Sequence, residues 1–554
     1  MADKDEVSKP IEAHKGICVT WSDNSTSFFH SQWLWHNSEQ HKDPGTGQKL
    51  LSPHAVPCNI NTIVNARQCC RNESDVASAA YSKSPQHNPQ ESVLEITWIG
   101  GEKTSLPVNF LAHHDYSLGS MQRRVAAAEA LDVHVAVNGS TVTNATPKAS
   151  FETPAAAKIL DIGFEQNAQA SSMYNHFMED SSEADQSRAD RKTPYVKIVQ
   201  DSLHPPNTSV PEVDYKDIMS MDEKGLRHIW RWLMGINTHG MAFVRNVPTE
   251  HEEVSRVASL ISEVQKSIYG YVFDVKAVPN PINVAYSNRA LDLHHDLAYY
   301  ESPPGIQLLH CLRFDASVKG GNSTFMDAHR VAYRLYEVDP EAFYVLATVP
   351  ATFQKIHYER EHPTHMVYKR PHISLSHYPL LLNPSPSAFP SQQLPWAAAA
   401  AQSRPAVSGV FWAPPFEGPL TVPPQWVEPY YDAYTKFARL LRDMESEALV
   451  ETRLTPGDLV AFNNRRMLHG RREFSHEDGQ SGERHIQGCY VNIDEFKSRL
   501  SYLCHSKFGF EDPFTVGPEA ASDDDTSVDE YKKHISAVRM SSRTIRGVGN
   551  QCHL

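Results

Sequence analysis

Two hydrophobic periods run along this chain. Short stretches in which apolar and polar residues alternate, GICVTW at 16–21 and LEITW at 94–98, predict half-buried strands, because successive strand side chains point to opposite faces. Residues 224–233 read as a helix carrying Trp230 and Trp232, leading into the strand-like run GMAFV at 240–244. Val254, Val257, Leu260, Ile261 and Val264 recur at helical spacing and predict a helix over about 253–267 with one face in a core. The run GIQLLHCLRF at 305–314 is strand-like and 328–336 is helical. Tyr430, Tyr434, Phe437 and Leu441 mark one face of a later helix, a strand ends within 458–472, and RHIQGCYVN at 484–492 is strand-like again.

Between these periodic stretches lie segments that cannot build a core. Residues 118–210 form a long, mostly polar insertion with one Ala-rich helix at 121–131. Residues 381–405 are rich in Pro, Ser and then Ala, which reads as an exposed loop. The stretch 350–378 holds His357, His362, His365, His372 and His377 without a shared ligand spacing, and is expected to be a loop near a pocket mouth. Four regions follow: a small β-rich domain over 15–117, a linker over 118–210, a larger domain over 211–503 with its insert at 381–405, and a peripheral tail over 504–554.

Composition narrows the function classes. With 554 residues, 40% hydrophobic and 21% charged, the chain suits a soluble protein of two or more domains. A formal charge of −14 argues against a nucleic acid as main partner. No apolar run approaches the roughly 18 residues that span a bilayer. The first 16 residues lack the apolar core of a secretory signal, and their acidic side chains speak against a mitochondrial presequence. Eight cysteines without a C-x-x-C indicate a reducing compartment, so the cytoplasm is expected. The terminal Cys552-His553-Leu554, a degenerate relative of S-K-L, offers a peroxisomal alternative.

Candidate chemistry centres on His294-His295-Asp296. In an extended strand His294 and Asp296 face one way and His295 the other. One imidazole and one carboxylate on a common face are two-thirds of the 2-His-1-carboxylate triad of non-haem iron oxygenases. The pattern H-x-D occurs four times among 29 histidines, so context has to decide. Only His294/Asp296 is followed by a Gly320-Gly321-Asn322-Ser323 turn, by a late His469-Gly470-Arg471, and then by Arg484. His113-His114-Asp115 has no such sequel and is expected at the surface.

In these residues the chain resembles the γ-butyrobetaine dioxygenase/trimethyllysine dioxygenase branch of the TauD-like Fe(II)- and 2-oxoglutarate-dependent oxygenases. The runs NVAYSNRALDLHHDLAYYESPPGIQLLHC, GGNSTFMD, LHGRR and RHIQGCY carry the resemblance, which extends more weakly from about 212 to 503. It implies an α+β, mainly β fold: a double-stranded β-helix (jelly-roll) core with flanking helices, preceded by the small β-rich domain. It implies iron held by His294, Asp296 and His469, with 2-oxoglutarate anchored by Arg484 and Ser323, O2 as second cosubstrate and ascorbate as reductant. Arg471 and Arg472 are further cationic candidates. Oxidative decarboxylation to succinate and CO2 would accompany hydroxylation of an aliphatic carbon.

The same resemblance implies a quaternary-ammonium substrate, which only aromatic faces can hold. Tyr269, Phe273, Tyr286 and Tyr490 fall on cage positions and Asn283 on a carboxylate-binding position. Phe273 stands where a Trp is expected, and Trp412-Ala413-Pro414-Pro415-Phe416-Glu417-Gly418 replaces an Asn pair that contacts the substrate carboxylate. In the N-terminal domain the family's structural zinc ligands are replaced by Ser38, Gln40, Asp43 and Glu102, so zinc is not expected; Cys58, Cys69 and Cys70 with His41 lack a zinc spacing. The expected activity is conversion of γ-butyrobetaine to L-carnitine. Alternatives are hydroxylation of trimethyllysine or of another amine or sulfonate, and a non-catalytic binding protein that keeps the fold. The partner is a small molecule, with neither nucleic acid nor membrane, and the family implies a homodimer.

Overall fold

The computed structural model describes residues 15–22, 24–43, 48–50, 53, 63–70, 92–117, 120, 159–163, 210–220, 222–276, 287–358, 362–377, 406–476 and 482–507. The expected helix at 121–131, the insert at 381–405, Cys58 and the terminal tripeptide lie outside the described residues. The chain divides into two compact units: Met1–Gln186 with Glu417–Thr435, and Ser187–Phe416 with Lys436–Leu554. No helix among the described residues is long and apolar enough to cross a membrane.

The first unit holds two three-stranded antiparallel sheets. Gly16–Trp21 pairs with Thr26–His30 on one side and with Ile159–Gly163 on the other. Ser92–Trp98 lies between Ile63–Cys70 and Lys103–Pro107. The alternating runs bury Ile17, Val19, Leu94 and Ile96, with Trp33 and Leu34 of the helix Ser31–Asn37. The later segment supplies the Leu420 carbonyl, which accepts from the Trp33 indole at 3.0 Å, and Tyr431, stacked on His36 at 4.4 Å. Ser38 Oγ donates to the Leu34 carbonyl, and Gln40 exchanges two hydrogen bonds with Ser105. Asp115 departs from the surface position expected of it. It is buried and accepts from the hydroxyls of Ser27, Ser117 and Ser120, a polar knot that offsets the cost of withdrawing its charge from water.

The second unit is built on eight strands: β1 Val272–Val275, β2 Leu291–His294, β3 Ile306–Phe314, β4 Ser323–Asp327, β5 Val450–Thr452, β6 Leu459–Asn463, β7 Met467–Arg471 and β8 Arg484–Val491. Their antiparallel pairing is nested: β1 with β8, β2 with β7, β3 with β6 and β4 with β5. Cross-pairs β3–β8 and β4–β7 close two sheets, a major one ordered β6-β3-β8-β1 and a minor one ordered β2-β7-β4-β5. A hairpin folded and wound this way is a double-stranded β-helix, or jelly roll. Met241–Arg245 and then Glu212–Asp214 extend the major sheet beyond β6.

Both faces of the major sheet are covered, which is why β3 and β8 read as nearly continuous apolar runs rather than alternating ones. Between the sheets Phe325, Phe462, Met467, Phe314 and Ile486 form one core. On the outer face Ile306, Leu308, Cys489 and Val491 pack against Ile229, Trp232, Leu233 and Ile236 of the helix Glu223–His239. That helix starts where the Asp222 carboxylate accepts from the Gly225 N–H and ends at Gly240 in the left-handed region.

Two sequence expectations fail here for identifiable reasons. The helix expected over 253–267 stops at Ala258. Ser255 and Ser259 hydroxyls bond nearby backbone carbonyls, and the Gln265 N–H is taken by the Tyr490 carbonyl of β8, so the apolar face continues without helical backbone. The His-rich stretch is not a loop: Ala351–His357 and Thr364–Arg370 form a hairpin ribbon, and Ile373–His377 pairs with Ala406–Val410. Apolar Ile356 and Val367 are exposed beside His365 and Lys369, while Lys355 is buried, which disguised the alternation.

Candidate active site

The site grows from the approach of β2 to β7. His294 and His469 are directly opposite in the ladder, their rings 4.4 Å apart. His469 sits at the centre of β7, after a turn that follows β6, and not at a strand end as the sequence suggested. Gly470 permits this spacing: a Cβ there would lie 2.6 Å from the Leu291 carbonyl oxygen and 2.8 Å from Thr324 Oγ1.

Asp296 lies just beyond β2, where the turn between β6 and β7 captures its backbone. The Asn464 amide accepts from the Asp296 N–H at 3.1 Å and donates to its carbonyl at 3.0 Å. The carboxylate then stands between the imidazoles, Oδ1 3.5 Å from His294 Nε2 and Oδ2 3.6 Å from His469 Nε2. These spacings are too long for good hydrogen bonds and suit three donors placed around one ion at about 2 Å. All the ligand atoms lie within 4.8 Å of one another. His295 faces away as expected; its N–H and Nδ1 bond the Trp412 carbonyl and N–H, and burial followed by the nearby His469 depresses its pKa.

Neighbouring groups fix each donor's state. His294 Nδ1 lies 2.8 Å from the Asp292 carbonyl, which can only accept, so Nδ1 carries a proton and Nε2 faces the site. Burial opposes a second proton, but Asp296 and the Asp292 carbonyl outweigh it and raise the His294 pKa, so a cation bound at Nε2 would take that proton's place. Asp296 Oδ2 accepts from Gln307 Nε2 at 2.8 Å and from the Tyr490 hydroxyl at 2.9 Å. Gln307 and Tyr490 are cross-strand partners on β3 and β8, so one rung of the major sheet holds the carboxylate supplied by the minor one. Burial opposes ionisation of Asp296, but His469, His294 and the Tyr490 hydroxyl outweigh it and hold the carboxyl well below its usual range. Burial, then the charge of His294, pushes His469 down to about 3. A carboxylate and inward-facing imidazole nitrogens make the donor set that a 2-His-1-carboxylate iron site requires.

A second feature is a pair of withdrawn guanidiniums. Arg484, the first residue of β8, donates through Nε to the Gly321 carbonyl at 3.2 Å and points Nη2 at Ser323 Oγ, 3.5 Å away. The Gly320-Gly321 turn that presents this carbonyl has φ of +78° and +73°, and a Cβ at Gly320 would sit 2.3 Å from the Glu473 carbonyl oxygen. Arg471 of β7 donates to the Ser287 and Arg289 carbonyls. Burial lowers Arg484 to about 10, and burial followed by the charge of Arg484 lowers Arg471 to about 9. No carboxylate pairs with Arg484 among the described residues, so a buried cation stands ready for an anionic ligand. Arg472, the other cationic candidate, is exposed and pairs with Glu451 and Glu445.

Of the expected cage residues, Tyr269, Phe273 and Tyr490 come together, while Asn283 and Tyr286 lie outside the described residues. Phe273 stacks on Tyr490 at 5.0 Å, and Tyr269 lies 6.2 Å from Phe273. Tyr299, which the sequence reading passed over, is buried with its hydroxyl 3.5 Å from that of Tyr269, and Phe416 meets its ring at 5.2 Å. Gln307 and Asn464 were missed as well. Gln307 carried a signal, being a primary amide inside an otherwise apolar strand.

The family model for the taurine catabolism dioxygenase TauD, TfdA family matches residues 200–490. A γ-butyrobetaine dioxygenase of Pseudomonas sp. (strain AK-1) is 33% identical over 297 residues, covering 53% of this chain and 66% of that enzyme. The γ-butyrobetaine dioxygenase of Homo sapiens is 25% identical over 421 residues, covering 74% of this chain and 94% of its own length. The mitochondrial trimethyllysine dioxygenase of Bos taurus is 29% identical over 286 residues, covering 52% and 59%.

Proposed function

The chain belongs to the TauD, TfdA dioxygenase family, whose match spans more than half of it, and from that premise we propose that this 2-oxoglutarate-dependent dioxygenase hydroxylates a quaternary-ammonium carboxylate, γ-butyrobetaine in the first place. His294, Asp296 and His469 would hold Fe(II), and Arg484 with Ser323 would take the far carboxylate of 2-oxoglutarate. With both bound, the site supplies oxidative decarboxylation of the keto acid coupled to insertion of oxygen into an aliphatic C–H bond.

The chain's own residues do the positioning. Gln307 and Tyr490 keep Asp296 ionised and oriented, and Asn464 fixes its backbone. Arg484 supplies a charge that burial keeps from being screened. The observation that carries the substrate reading is the ring set Tyr269, Phe273, Tyr299 and Tyr490 beside Asp296. A trimethylammonium group offers no N–H and is held by ring faces, each contact contributing about 0.5–2 kcal/mol. Phe273 and Tyr490 stack on each other, and Tyr269 and Tyr299 bring two further rings beside them.

The test is a substrate panel supplied with Fe(II), ascorbate and 2-oxoglutarate, scored by mass spectrometry for the gain of one oxygen and by succinate release. Butyrobetaine should turn over with succinate in equal amount. Turnover of trimethyllysine without butyrobetaine would reject the substrate while leaving the chemistry in place.

A further inference from the structure

His251, Asp274 and His485 form a second group of two imidazoles and a carboxylate whose ligand atoms all lie within 4.8 Å of one another. It occupies the opposite face of β8 from the active site. Along that strand Arg484, Ile486 and Tyr490 face the space between the sheets, whereas His485, Gln487 and Cys489 face outward, where Cys489 joins the outer core. Asp274 of β1 is the register partner of Gln487.

The arrangement is specified rather than incidental. His485 Nε2 lies 2.6 Å from Asp274 Oδ1. Gln487 Oε1 accepts from the Glu252 N–H at 2.7 Å, which turns its Nε2 toward Asp274 Oδ1 at 3.1 Å and His251 Nδ1 at 3.3 Å. That bond also secures Glu252 at φ +68°, a conformation that costs a non-glycine residue about 1 kcal/mol or more and that sets His251 beside the sheet. His485 is buried, while His251 and Asp274 are exposed, so an ion has a route in from solvent.

We propose that His251, Asp274 and His485 bind one zinc-type divalent cation, with water completing the shell, His251 Nδ1 exchanging its 3.3 Å contact with the Gln487 amide for the metal, and Gln487 holding Asp274. Imidazole and carboxylate donors at about 2.0–2.2 Å are the usual company of Zn(II), and an amide donating to the ligating carboxylate is a usual outer partner. The site has a structural consequence. Among the described residues β1 is the edge strand of the major sheet, paired only with β8, and the residue before Asp274 is Phe273, stacked on Tyr490 on the active-site side. A cation joining β1, β8 and the His251 loop would fasten the strand that carries this wall of the pocket.

The test uses the full chain carrying Asp296→Ala, which removes the carboxylate of the other triad, stripped with chelator and titrated with Zn(II) alone. One equivalent of zinc should be lost when Asp274→Asn is added. His251→Ala, at an exposed position, should weaken that equivalent by more than the roughly 10–100-fold expected of Gln487→Leu. Circular dichroism and thermal melting of each variant keep a folding defect from passing as a lost site. Zinc uptake that is absent from the parent, or unchanged by both Asp274→Asn and His251→Ala, overturns the proposal and leaves His485–Asp274 as a plain ion pair.

Discussion

Asp296 and Glu417 are both partly buried carboxylates set among aromatic rings, one in each unit of the molecule, and their proton affinities move in opposite directions. Asp296 accepts from an amide and a phenol and faces two imidazoles, so the carboxylate form wins although burial disfavours it. Glu417 accepts from Tyr434 at 2.8 Å and is pushed up to about 7, because burial exceeds what the charge of Lys49 and the Tyr434 hydrogen bond return. Withdrawal from water is common to both. The number and kind of partners decides whether a carboxylate is kept ionised, as a metal ligand must be, or kept close to neutral.

The largest expected effect breaks the contrast outright. Asp296→Ala should lower turnover by about three orders of magnitude or more, since it removes a proposed iron ligand and the charge that steadies both imidazoles. Glu417→Gln should retain most of the activity. Comparable loss in both variants, in steady-state assays on folded protein, would mean that the two carboxylates share a function and that the contrast has no mechanistic content.

Arg484→Met tests the anionic end of the same site. Losing a charge-assisted hydrogen bond is worth about 1.5–3 kcal/mol, so KM for 2-oxoglutarate should rise roughly 10–150-fold, with a smaller change in the KM of the hydroxylated substrate. The opposite partition would move Arg484 to the substrate side.

Tyr490→Phe sharpens the account of Asp296. It deletes one of two donors to Oδ2 and keeps the ring stacked on Phe273. Fe(II) affinity should fall by about 10-fold or somewhat more, as expected for a partner acting through a ligand. Phe273→Leu should do the reverse, raising the KM of a quaternary-ammonium substrate with iron affinity unchanged. If Tyr490→Phe altered only substrate KM, the phenol would belong to the cage and not to the carboxylate.

How legible these environments were differs for physical reasons. His294, Asp296 and His469 could be named because the order of H-x-D, the Gly-Gly turn and H-G-R is imposed by the nested strand pairing, and Gly470 and Gly320 are required by close backbone approach. Gln307, Asn464 and Tyr299 were not named. Their roles depend on which strands lie in register, and 11 and 168 positions separate the first two from Asp296. The His251–Asp274–His485 group was invisible for the same reason, since its members share no motif and meet only through β1–β8 pairing. The hairpin Ala351–His357/Thr364–Arg370 was hidden because Ile356 and Val367 are exposed and Lys355 is buried, which blurs its period. Glu417 appeared in the sequence only as part of the segment replacing an Asn pair, and its shifted titration follows from Tyr434 and Lys49, which no local pattern reveals.

The smallest effect concerns stability at Glu417. Its folded-state pKa of about 7 lies above the ordinary value of 4.5, so below about pH 4.5 both folded and unfolded chains hold the proton and the group imposes no penalty. Between 4.5 and 7 the unfolded chain releases the proton first, so stability falls as pH rises, by at most about 1.4 kcal/mol per pH unit and less for a group that is only partly buried. Above 7 the penalty stays constant. Glu417→Gln removes the titration while keeping an acceptor for Tyr434, so its thermal midpoint should exceed that of the parent at pH 8 and approach it at pH 5. A difference between the two proteins that is the same at both pH values would show that Glu417 ionises in the folded chain as it does in water, and its burial would then have no bearing on its charge.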